Sequence, residues 1–341
     1  MAVSASASSD IGVRGSDFAL LSREVKAAGL LERRRFDALR GVVVPAALSG
    51  AVVLLFLWVG RSWWQLLVAP LFGFVLGQLA FVGHDAGHHQ VFRGARANRA
   101  LGLLHANVLV GLSFGWWNAK HNRHHGNPNA IDRDPDIGDG VIVWTPAQMA
   151  RRAGLVRRLT RHQARYFFPL LMLEGLSLKV ASVRALPERG GRRRLVELVL
   201  LVLHFAGRVL TVCFVLSWPQ AVLFCAIEEL AFGAYLGCSF APNHIGMTVT
   251  AGDPSADFLR KQVLTARNLR GGRLTSFFYG GLNHQIEHHL FPSMPRHRLR
   301  RAAPLVRQFC QRHAVAYHET GVWESYRQIV GALRLAASTA P

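Results

Sequence analysis

The chemistry available to this chain of 341 residues is concentrated in three clusters of histidine. The first is His84-Asp-Ala-Gly-His88-His89 and the second is His121-Asn-Arg-His124-His125. The third is Gln285-Ile-Glu-His288-His289, with His284 just before it. On a helix, residues three or four apart share a face. His84 with His88, and His121 with His124 and His125, can therefore converge on one metal ion. Imidazole suits Fe, Zn, Cu and Ni alike, so spacing alone does not select the metal. The count says more. A zinc site takes four ligands, whereas the boxes supply about eight ring nitrogens. That number fits two ions of higher coordination with room left for oxygen.

Such a constellation needs elements that bring distant segments to one place. Half the residues are hydrophobic, yet the formal net charge is +20. A membrane protein with basic loops combines these properties easily. Nucleic-acid binding, the other common reason for so basic a chain, is disfavoured because the charge lies between the apolar runs. Four stretches approach the roughly 20 residues that span a bilayer core: about 42–60, 64–83, 195–217 and 219–240. Very short turns join the first two and the last two, which predicts two hairpins. Two shorter apolar patches, Leu101–Phe114 and Tyr166–Leu178, suit re-entrant or interfacial helices. Residues 17–40 read as an amphipathic helix on the membrane surface, and 1–16 as a disordered N-terminus, with no apolar run of a secretory signal, before a single domain over 17–341. Cys213, Cys225, Cys238 and Cys310 form no close pair and imply no disulfide framework.

Charge sets the orientation. Of the 40 Lys and Arg, 38 lie before the first span, between the second and third, or after the fourth. By the positive-inside rule both termini and the long middle segment face the cytoplasm. The expected fold is all-α: a four-helix stem in the cell membrane, carrying a cytoplasmic helical cap that holds the histidines.

The boxes and their order resemble the membrane fatty-acid desaturase family, over roughly residues 30–320. Wider phrases match as well: Gly115-Trp-Trp-Asn-Ala-Lys-His121 through Asp132-Arg-Asp-Pro-Asp136, then Phe240-Ala-Pro-Asn-His244, then Gly280-Gly-Leu-Asn-His-Gln-Ile-Glu-His-His-Leu-Phe-Pro292. The last is typical of acyl-CoA and acyl-lipid desaturases, and the middle phrase resembles bacterial members. The resemblance implies two irons, O₂ as co-substrate, and removal of two hydrogens from adjacent carbons to leave a cis double bond. It implies His84, His88, His121, His124, His125, His244, His288 and His289 as ligands, with Gln285 binding directly or through water. Asp85, Asn243 and Glu287 lie beside ligands and could orient them, since a bound imidazole usually donates its second N–H. His89, His284, His105, His162, His204, His297, His313 and His318 are read as non-ligands, and Asp132, Asp134 and Asp136 as a solvated, Pro-broken turn.

Two external electrons are needed per turnover. The sequence shows no haem segment and no Gly-rich dinucleotide motif, so a separate ferredoxin- or cytochrome-type carrier with an NAD(P)H reductase is expected. A basic face would attract such an acidic carrier, or equally an acyl-CoA or acyl-lipid headgroup. The QxxHH box is common in front-end enzymes, while the middle phrase leans to Δ9. A diiron fatty-acyl hydroxylase would share the ligands. A His-rich membrane metal transporter is the other alternative, but it would place polar groups inside its spans. One basic residue does fall inside a span. Arg208 lies about ten residues from the turn between spans three and four, and Glu228 and Glu229 about ten beyond it. The expectation is an ion pair at matching depth, serving structure and not catalysis.

Overall fold

The computed structural model describes residues 16–33, 35–187, 190–250 and 257–338. Most of residues 1–16 therefore lie outside the described residues. In chain order the elements are α1 (Asp17–Ala27), α2 (Arg35–Val59), α3 (Gln65–Gly87) and α4 (Ala95–Gly102), then a π-helical segment (Leu103–Val110). There follow α5 (Phe114–Gly126), α6 (Pro146–Ala150), α7 (Gly154–Thr160), α8 (Gln163–Leu171) and α9 (Glu174–Arg184). The long helices α10 (Gly191–Val215) and α11 (Trp218–His244) come next. The C-terminal part contains α12 (Phe258–Leu264), β1 (Asn268–Leu269), α13 (Arg273–Phe278), α14 (Gln285–Leu290), α15 (Arg296–Arg312), β2 (Glu319–Thr320) and α16 (Val322–Ala337).

Four helices are long and apolar enough to cross a membrane: Ala38–Val59, Gln65–Gly87, Gly191–Val215 and Trp218–His244. They fall within a few residues of the expected spans. The start of α11 is fixed by local chemistry: the Gln220 side chain accepts the Ser217 N–H at 3.0 Å, and Pro219 sits in the first turn, where it loses no helical bond. Within the stem, α11 packs most extensively against α3, and much less against α10, its neighbour in sequence. Small residues allow this. A Cβ at Gly73 would lie 2.7 Å from the Glu228 carbonyl oxygen, and one at Gly77 2.2 Å from the Tyr235 ring. In lipid such close approach replaces the hydrophobic drive that water would supply.

The two short apolar patches belong to bent pairs. Ala95–Val110 meets Phe114–Gly126 at 110°, and Gln163–Leu171 meets Glu174–Arg184 at 70°. At the first bend Gly111 turns at φ +82°, and the Ser113 hydroxyl accepts the Trp116 N–H to start α5. The bend thereby delivers the second box back toward the end of α3.

Residues 17–40 depart from expectation. They do not form one helix on a membrane surface: α1 ends at Ala27 and the chain turns through Gly29 at φ +67°. Its apolar face is covered by protein. Leu21 and Val25 are fully buried among Leu259, Val263, Leu299 and Val306, and Phe18 packs on Phe258 and Phe291. An amphipathic pattern does not distinguish a lipid surface from a protein one, and here α12 and α15 supply the protein.

Candidate metal centre

The C-terminal ends of α3 and α11 arrive at the same cluster of imidazoles, His84 and His88 from the first and His244 from the second. Helix α5 adds His121, His124 and His125, and α14 adds His288 and His289. The imidazoles fall into two groups. In His84, His88, His121 and His288 one nitrogen from each ring lies within 4.8 Å of all the others; His124, His244 and His289 form a second group by the same measure. His125 sits between them. Its ring lies 4.5 Å from His88, 4.7 Å from His288 and 4.2 Å from His289, and its Nε2 is 3.1 Å from that of His121.

The outer faces of several rings are already engaged. His124 Nδ1 donates to Asp134 at 2.9 Å, His244 Nδ1 to the Thr265 carbonyl at 2.9 Å, and His289 Nδ1 to Gln262 Oε1 at 2.9 Å. A ring that donates at Nδ1 presents its Nε2 lone pair on the other side. The Nε2 atoms of His84, His88, His288 and His289 are buried with no hydrogen-bond partner among the described residues. Burial first, and then the neighbouring imidazoles, holds His88, His288 and His289 well below the ordinary histidine range. They stay neutral, the form that binds metal. Buried lone pairs facing one another are costly without a cation. The donor set therefore fits metal ions, in two neighbouring positions.

The remaining site residues are placed as follows. Asp85 lies 3.4 Å from His84 Nδ1 and is also bound by Arg296. Asn243 donates to the Gln285 amide oxygen at 3.2 Å and meets no imidazole. That contact turns the Gln285 NH₂ toward His244 Nε2 at 3.0 Å, so direct ligation through oxygen would require the amide to rotate. Glu287 also faces away from the rings, accepting hydrogen bonds from Asn268 at 2.7 Å and Tyr317 at 2.8 Å. Burial pushes its carboxyl up to about 7. It ties α14 to β1 and the C-terminal segment.

A family model for fatty acid desaturase matches residues 61–321. The chain belongs to this family. It is 33% identical over 272 residues to an acyl-lipid (9-3)-desaturase of Physcomitrium patens, covering 77% of the chain and 51% of the relative. Against delta(8)-fatty-acid desaturase 2 of Arabidopsis thaliana the identity is 28% over 335 residues, covering 94% and 74%. Against a delta(5) fatty acid desaturase of Caenorhabditis elegans it is 31% over 280 residues, covering 76% and 63%. The chain thus spans about half the length of the moss relative and between three fifths and three quarters of the other two.

Several residues that build this desaturase site carry no signal in the boxes. Asp134 is not part of a solvated turn: it is buried, and besides His124 it accepts the Asn129 N–H at 2.7 Å. Asn129, at φ +51°, donates in turn to the His244 carbonyl at 3.0 Å, joining the second box to α11. Pro242 has no N–H for Cys238, and the Tyr326 hydroxyl donates to that carbonyl instead at 2.9 Å. Buried Arg267 donates to the Pro242 and Ile245 carbonyls at 2.7 and 2.6 Å, a cation on the C-terminal end of α11 beside His244.

The histidines expected not to bind metal fall outside both groups. His105 and His204 bond to the carbonyls of Leu101 and Val108, and His313 meets Asp17. His284 is buried but belongs to neither group. His89 is exposed at φ +57°, outside the cluster. His89→Ala is accordingly expected to keep at least about half of wild-type activity and full metal content, surface substitutions costing about 0.5 kcal/mol or less. Loss of metal in that variant would place the ring inside the centre.

Proposed function

We propose that the chain is an O₂-dependent diiron acyl desaturase that introduces a cis double bond into a CoA- or lipid-linked fatty acyl chain. The observation that carries this reading is the pair of adjacent imidazole groups, four rings in one and three in the other, whose buried ring nitrogens converge, several of them with no hydrogen-bond partner among the described residues. Two irons bound there would supply what no side chain can, the activation of O₂ to remove hydrogen from a methylene that has no acidic proton. The protein's own part is positional. Asp134, Thr265 and Gln262 hold the rings in one tautomer, and Trp117 stacks on His121 at 4.6 Å as part of the wall beside it.

The enzyme is a multi-pass protein of the cytoplasmic membrane, with the site and both termini on the cytoplasmic side. The distribution of 38 of 40 basic residues supports this orientation, as does the arrival of α3 and α11 at the site by the same end. The lean toward position nine finds no support among the relatives described above, whose names give positions five, eight and nine-minus-three. Those names favour the carboxyl-side placement that the Gln285 box suggests.

Electrons come from a separate carrier. The purified chain with acyl substrate and oxygen alone is expected to be inert, and to turn over once a ferredoxin or cytochrome and its reductase are added. The readout is a product lighter by two hydrogens. Turnover with NAD(P)H and no partner protein would contradict this reading, and a product gaining oxygen would make the chain a hydroxylase.

A further inference from the structure

The two imidazole groups are supported by different parts of the chain. Each ring of His124, His244 and His289 has its Nδ1 fixed near 2.9 Å, and two of the three acceptors lie in the segment 258–268: Gln262 and the Thr265 carbonyl. In the other group, His84 reaches Asp85 only at 3.4 Å, and both ring nitrogens of His288 are buried without a partner among the described residues.

Gln262 is the most specifically placed member of that segment. It is fully buried on α12. Its oxygen accepts from His289, and its nitrogen donates to the His125 carbonyl at 3.0 Å, so one amide spans the second and third boxes. Next to it, Lys261 donates to the Gly126 carbonyl at 3.0 Å, and the Arg267 N–H donates to the Asn243 carbonyl at 2.9 Å. The segment therefore grips α5, α11 and α14 together, at the side where His124, His244 and His289 meet.

On the two-metal reading above, we propose that Gln262 is a positioning residue for one metal position only, that of His124, His244 and His289. It acts through His289. With its oxygen in place, the ring keeps its Nδ1–H tautomer and angle, and Nε2 needs no reorganisation to bind. Among the described residues Gln262 bonds to no ring of the first group; it reaches His125, which lies between the groups, through the backbone carbonyl alone, so the first group's affinity is expected to be independent of it.

The test uses the full chain purified with its iron under anaerobic conditions and challenged with increasing concentrations of a ferrous chelator, with iron per chain as the readout. Loss of an outer hydrogen-bond partner weakens metal affinity by about 10–100-fold. Gln262→Met is therefore expected to release half of its iron at about 10–100-fold lower chelator, while the other half leaves where the wild type loses it. Gln262→Glu gives up the N–H to the His125 carbonyl but keeps the acceptor oxygen for His289, and because the proposed action runs through His289 it is expected to retain both irons as the wild type does. Asp85→Asn is expected to weaken the opposite half and leave the Gln262-dependent half in place. Both irons leaving together in Gln262→Met would mean general structural damage and overturn the proposal, as would an unchanged release curve or early iron loss in Gln262→Glu. Absence of bound iron in the wild type would overturn the two-metal reading itself, and the proposal with it.

Discussion

His124→Ala is expected to abolish double-bond formation and to lower bound iron, while the chain still inserts and folds. The ring stands at the crossing of the second group: its Nε2 lies 3.3 Å from that of His244, and its centroid is 5.1 Å from that of His289. The nearest carboxylate, Asp134, stands on the outer side of the ring at Nδ1 and is held there by the Asn129 and Asp136 N–H groups, away from the inward-facing nitrogens. Asp134→Asn should show the graded version, with metal affinity falling by about 10–100-fold as the anionic acceptor becomes a neutral amide. The check is iron content together with product formation. Full activity in His124→Ala would remove the ring from the centre.

The second large effect lies in the membrane stem. Arg208 donates to Glu228 and to Glu229, each at 2.7 Å, and Lys179 on α9 also binds Glu229. The four charges cancel, and Lys179 and Glu228 are almost wholly buried. Removing one member leaves a net charge in apolar surroundings, at a cost of about 3–5 kcal/mol. Arg208→Leu and Glu228→Gln are each expected to lower the thermal unfolding midpoint and the yield of inserted protein. Combining them leaves the neutral Lys179–Glu229 pair, so the double should be clearly less damaged than the sum of the singles. Strict additivity would mean that the pairing carries no energy, since uncoupled sites add. The cluster joins α9, α10 and α11, so these substitutions should affect stability well before they affect metal content.

The parts legible in the sequence are those in which the signal is local and repeated. The spans follow from hydropathy sustained over some 20 residues, and the boxes from imidazoles at helical spacing. His244 was found through a short phrase shared with a family and not through spacing, because no second imidazole accompanies it on α11. The supporting residues were harder to find. Gln262 acts with a single side chain, while Thr265 uses a backbone carbonyl that any residue could present. Asp134 was misread because an Asp-Arg-Asp-Pro-Asp run looks solvated, and only the turn through Asn129 buries its middle member. Lys179 had a readable trace. Two carboxylates against one Arg208 leave a net negative charge inside a span, and a second cation was needed to balance it. The surface helix expected at 17–40 failed for a different reason: periodicity reports that a face is apolar, not what covers it.

The most direct test of the assignment is lipid analysis of a host that lacks the relevant double bond and expresses the full chain with a carrier and reductase. Fatty-acid methyl esters would be resolved by mass and by double-bond position. A new cis monoene or an additional double bond, absent when His124 is replaced by alanine, is the expected result. A hydroxylated acyl chain, or an unaltered profile from inserted and iron-loaded protein, would contradict the account.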